Sequence, residues 1–70
     1  MNNFSSNLRQ RLEKQNLSVQ ALADLAGMRR SYLSRILHGH HSPSERVMTR
    51  IANALGIELA KLLKKNNPTR

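Results

Sequence analysis

Seventy residues make one domain that buries about 60% of the surface its unfolded chain exposes, which excludes a second domain and leaves little stability to spare. Twelve Lys and Arg against four Asp and Glu give a formal charge of +8, an excess that points to a polyanionic partner, with nucleic acid ahead of a membrane surface because the charges are not gathered on one long amphipathic helix. The absence of cysteine removes disulfides and thiolate metal sites. With no apolar run near the roughly 18 residues of a membrane helix and no signal-peptide pattern, the expected location is the cytoplasm, at the nucleoid.

In chain order, Asn3 is a suitable cap for a first helix whose Phe4, Leu8 and Leu12 repeat at i, i+4 and i+8 along a core face. Asn16 is one of the few non-glycine residue types that tolerate the left-handed conformation, so the helix is predicted to end near Gln15, with Leu17 folding back into the core. Arg9, Arg11 and Lys14 lie off the apolar stripe. For most of them a solvated face is a better reading than phosphate contact.

The chain is organised around Ser18 to Leu37. Val19, Leu22, Ala23 and Ala26 fall on one narrow helical face, and the Ser18 hydroxyl can accept from an orphan N–H of the first turn, so the second helix starts near Val19. Gly27 follows the last apolar position, where the chain must turn sharply through a left-handed residue. Beyond it Leu33, Ile36 and Leu37 share a dry face. Ser31, Arg35 and His38 point the opposite way, with Tyr32 and Ser34 on the flanks. Ala23 is small enough to let the two helices cross at close range.

His38, Gly39, His40, His41 and Ser42 form a polar loop. Its histidines lack the carboxylates and ligand spacing of a metal site, so no metal or other cofactor is expected. They are read as phosphate donors whose contribution grows in mild acid, against the alternative of an exposed loop without a role. Pro43 and Ser44 open a fourth helix with Val47, Met48, Ile51, Ala52 and Leu55 as its stripe, ending at Gly56. Ile57 re-enters the core, and Leu59, Leu62 and Leu63 form a short fifth helix. Asn66 to Arg70 reads as a loose tail, leaving residues 1–65 as the domain.

Ala23, Gly27, Leu33 and Ile36, followed by Gly39, Pro43, Ile51, Leu55, Gly56 and Leu62, make residues Leu8 to Leu63 similar to the phage repressor and Cro type of helix-turn-helix family. The resemblance implies an all-α, five-helix, lambda-repressor-like domain with its helix-turn-helix at about 18–37. It places Arg30 to His38 in the major groove of double-stranded DNA. It also puts the start of the fourth helix near the DNA backbone, which makes Arg46 a phosphate ligand and leaves Arg50 a surface charge. For Leu59, Leu62 and Leu63 two readings stand level: packing on the first helix, or the two-fold interface of a homodimer implied by the resemblance. The family often pairs an Arg at the position of Leu12 with a Glu at that of Leu37. Both are apolar here, a coherent double replacement.

Within this frame Arg30, Ser31 and Arg35 are expected to read bases, because the planar guanidinium matches guanine O6 and N7 and serine is short enough not to block it. Arg29, Ser34 and His38 serve bases or phosphates. Ser18, Val19, Gln20, Tyr32, His40, His41 and Arg46 hold phosphates, the first three at the positive end of the second helix. No catalytic constellation exists and no small-molecule effector is evident, so the chain is not an enzyme. The reading is a sequence-specific transcriptional regulator, with repression as its sign: a compact domain without an activation module can block polymerase by occupying a palindromic operator. An antitoxin-like interaction module and a basic RNA-binding protein are the alternatives, the latter weakened by having only Phe4 and Tyr32 to stack on bases.

Overall fold

The computed structural model describes residues 3–64, and the predicted tail lies outside them. Five helices follow one another: α1 (Asn3–Gln15), α2 (Val19–Ala26), α3 (Arg30–Leu37), α4 (Glu45–Leu55) and α5 (Leu59–Leu63). The described residues contain no strand, and the all-α expectation holds. Asn3 already stands inside α1 and is not a cap ahead of it.

Local chemistry sets most helix limits. The Ser18 hydroxyl accepts from the Ala21 N–H at 3.0 Å, and the Ser44 hydroxyl accepts from the Val47 N–H at 3.3 Å. Each bond satisfies one of the four amides that a helix start leaves without an internal acceptor. Four helix ends close alike, through a left-handed residue whose N–H returns to the carbonyl three back while the next N–H returns five back. After α2 these are Gly27 to Asp24 (3.3 Å) and Met28 to Ala23 (2.9 Å). Asn16 closes α1 in the same way at φ 54, the one non-glycine residue with positive φ among those described. Gly39 closes α3 and Gly56 closes α4. The closure at Gly39 gives order to the start of the polar loop expected over residues 38–42.

The helices meet in one core cluster fed by all five: Phe4, Leu8 and Leu12 from α1, Leu22 and Ala23 from α2, Leu33, Ile36 and Leu37 from α3, Ile51, Ala52 and Leu55 from α4, and Leu62 from α5. Ala23 is fully buried, as a close crossing of α2 and α3 requires. Leu12 and Leu37, apolar where the resembling family often has a charged pair, lie in this cluster and line one hollow together with Leu17 and Val19. α5 rests on α1 and α4. Leu62 is 1% exposed, so it belongs to the core of its own protomer. That burial, which removes the whole side chain from water and stabilises by about 2 kcal/mol, corrects the expectation that Leu62 is available to a second copy.

Candidate nucleic-acid interface

α3 is eight residues long and two-sided. Leu33, Ile36 and Leu37 are buried, and Arg30, Ser31 and Arg35 are exposed on the other side together with His38 just past the helix end. Tyr32 and Ser34 sit between the two sides, half-buried. The helix carries two arginines and no acid, so its open face is a row of donors over a closed apolar base. Arg29 immediately precedes it in extended conformation, exposed, without a side-chain bond to the helix start.

The start of α2 presents a second set of donors. Ser18 spends its hydroxyl lone pair on the Ala21 N–H, and its carbonyl takes the Leu22 N–H at 3.0 Å. The amides of Val19 and Gln20 precede any intrahelical acceptor and so point out of the positive end of the helix, as an anion needs. The Gln20 side chain donates to Asp24 Oδ1 at 3.0 Å, so at this helix start Gln20 offers its backbone amide and not its side chain. Arg46 is exposed in the first turn of α4, and Arg50 is exposed one turn on.

The histidines after α3 are placed differently from one another. His38 Nδ1 lies 2.8 Å from the Ser34 carbonyl; a carbonyl only accepts, so Nδ1 donates and Nε2 is the acceptor of the neutral ring. The His38 and His40 rings stack with centroids 6.3 Å apart. His41 is half-buried, its Nε2 at 3.1 Å from the Tyr32 hydroxyl, which ties the loop back to α3. Among the described residues no three His, Cys, Asp or Glu side chains converge as metal ligands would.

α5 divides its leucines. Leu62 is enclosed, Leu59 is half-buried and Leu63 is 47% exposed. Leu25 on α2 is exposed as well, at 62%.

Two residues make contacts that the sequence does not lead one to expect, Ser5 with no role assigned to it and Arg9 expected on a solvated face. The Ser5 hydroxyl, buried at 3% exposure, donates to the Ile36 carbonyl, and Arg9 Nη1 donates to the Leu37 carbonyl. Ser5 could have been found, because it falls at i, i+3 and i+7 with Leu8 and Leu12 and so lies on the dry stripe, where a hydroxyl needs a partner. Arg9 carries no such signal.

A helix-turn-helix family model, HTH_3, matches residues 8–62. The sequence has no significant match among curated proteins. Among solved structures, the restriction-modification controller protein C.AhdI from Aeromonas hydrophila is 33% identical with a TM-score of 0.82, the match covering 87% of this chain and 92% of that one. An HTH_3 family transcriptional regulator from Vibrio cholerae, 24% identical with a TM-score of 0.84, is matched over 87% of this chain and 34% of its own length; that likeness is one of fold. HppE in its apo form matches over 90% of this chain and 35% of its own length, at 25% identity and a TM-score of 0.79. Among the described residues, no helix is long and apolar enough to cross a membrane. The family match takes in every residue of the core cluster except Phe4, together with the whole of α2, α3 and α4, and it agrees with the resemblance carried by Ala23, Gly27, Leu33 and Ile36. The chain belongs to the HTH_3 helix-turn-helix family and is a DNA-binding transcriptional regulator.

Proposed function

We propose that the protein is a cytoplasmic, nucleoid-bound repressor that binds a palindromic operator as a homodimer, laying α3 of each copy in the major groove. The observation that carries this reading is the two-sidedness of α3: Arg30, Ser31 and Arg35 stand exposed over the buried Leu33, Ile36 and Leu37. Arg30 and Arg35 read guanines, each bidentate contact discriminating by about 1–3 kcal/mol, and Ser31 gives them room. Ser18, Val19, Gln20 and Arg46 hold the flanking phosphates and fix the register. Arg29, Tyr32, Ser34, His38, His40 and His41 add contacts along the groove edge and backbone. Two-fold symmetry follows from Leu59 and Leu63, with Leu62 withdrawn, and sets the half-sites about one helical turn apart. Occupancy of an operator is enough to block polymerase, whereas activation needs a further attractive contact with it. Similarity to a restriction-modification controller protein over 92% of that protein's length supports a regulatory role built on this one domain. An RNA-binding role is disfavoured by the aromatics, Phe4 being buried and Tyr32 held against His41.

Selection of bound sites from random duplex DNA tests the proposal, followed by two variants on the selected site. A palindromic consensus is the expected result. Arg35→Ala is expected to relax the preference at one guanine per half-site with little loss on random duplex, and Arg46→Ala to weaken both alike and lower the salt slope by about one. Uniform binding of all sequences would overturn the operator reading, and an intact preference in Arg35→Ala would remove Arg35 from the base readers.

A further inference from the structure

We propose that Arg9 and Ser5 are positioning residues of the DNA reader: from α1 they grip the last carbonyls of α3 and so set the angle at which that helix enters the groove. This rests on the reading of α3 as the element that contacts bases. Of the four alike helix ends, three send the residue after the left-handed position back against the core as an apolar clamp, namely Leu17, Met28 and Ile57. Such a contact commonly accompanies this closure. At the end of α3 the corresponding residue is His40, which is exposed. The reader therefore ends without the clamp that the other three helices have.

The hydrogen bonds at that end show what replaces it. Ser34, Arg35 and Ile36 carbonyls receive the N–H groups of His38, His40 and Gly39, at 3.0, 2.9 and 3.1 Å. The Leu37 carbonyl is passed over by this backbone pattern, and Arg9 supplies its donor; Ser5 adds a second donor to Ile36. A guanidinium at this place also lies at the negative end of the α3 dipole. Both bonds cross to α1, 28 residues away for Arg9 and 31 for Ser5, and so tie the reader to the scaffold and not to its own loop. The lever is long enough to matter: eight residues of helix span about 12 Å, so a tilt of about 10° about the far end moves the Arg30 end by about 2 Å. A recognition constellation tolerates about 0.5 Å.

The test compares wild type, Arg9→Met, Arg9→Lys, Ser5→Ala and Arg35→Ala on the selected operator and on random duplex at several salt concentrations. Amide hydrogen exchange at Gly39 and His40 is followed in the free proteins. Arg9→Met is expected to stay folded, because Arg9 is solvent-exposed, to lose about tenfold in the ratio of operator to random-duplex affinity, and to exchange Gly39 and His40 faster. Arg9→Lys recovers part of both, and Ser5→Ala shifts both the same way. Equal weakening on operator and random duplex with a shallower salt slope would make Arg9 a phosphate ligand and overturn the proposal, as would an unchanged ratio. An unchanged ratio in Arg9→Met beside a reduced one in Arg35→Ala sinks the positioning role alone; an unchanged ratio in both sinks the reading of α3 as well.

Discussion

The unit α2–turn–α3 and the helix α5 are both short, apolar-faced pieces of chain, yet they are held by different means. In the first, α2 and the turn into α3 are set by groups within a few residues of one another: the Ser18 hydroxyl on the Ala21 amide, Gly27 at φ 69, and the Met28 amide on the Ala23 carbonyl. α5 has five residues and no side-chain bond at its Glu58 cap, and the residue after it is extended. Helices so short are marginal in water by themselves. What holds α5 comes from the far end of the chain: Leu62 enters the common core, and the Asn7 side-chain amide donates to the Leu62 carbonyl at 2.8 Å and to that of Lys64. A locally specified element survives loss of one tertiary contact; a tertiary one does not.

Leu62→Ala is the sharpest way to break the comparison, with the largest expected effect. Leu62 is 1% exposed, and truncating a fully buried leucine costs about 3 kcal/mol, of which part is the cavity left behind. Urea unfolding followed by far-UV circular dichroism should show that loss. A change under about 1 kcal/mol would mean that α5 is not part of the cooperative unit.

Gly27→Ala probes the locally held side, and a smaller loss is expected there. A Cβ built at Gly27 meets nothing within 4 Å, so the cost is conformational alone, about 1 kcal/mol for an L-residue held left-handed. Gly27→Asn should recover part of it, because Asn16 already adopts this conformation at φ 54 in the same closure. Thermal melts of the two variants check the order. A loss of several kcal/mol in Gly27→Ala would show that α2 and α3 approach each other more closely there than open space allows.

The same contrast governs how much could be read from the residues alone. The limits of α2, the turn at Gly27, the two sides of α3 and the left-handed Asn16 were legible because each depends on neighbours one helical turn away. Arg9 was not, since its acceptor is a backbone carbonyl 28 residues on, and every residue type has that carbonyl. The site was legible as a face and not as a fixture: Arg30, Ser31 and Arg35 stand where the spacing put them, exposed, while the bonds from Ser5 and Arg9 that steady α3 leave no mark in periodicity. Leu62 was ambiguous for a physical reason. Helical spacing tells which side chains are dry, not which surface dries them.

Leu63 completes the comparison, being next to Leu62 in sequence and opposite to it in surroundings, at 47% exposure against 1%. Leu63→Asp should therefore change the stability of the isolated protomer by no more than about 0.5 kcal/mol, the usual range for a surface substitution. Its expected effect is on the proposed two-fold assembly. In an isologous contact near the two-fold axis a residue faces its own copy, so one substitution sets two carboxylates against each other and takes both out of water. The expected outcome is a folded protomer that sediments as a monomer and fills the two half-sites of the selected operator independently, with full-site affinity lowered at least tenfold. Sedimentation and gel-shift stoichiometry on full and half operators measure this. If Leu63→Asp still shifts the full site as two copies at unchanged affinity, the two-fold contact is not made by the end of α5, and the exposed leucine there is surface only.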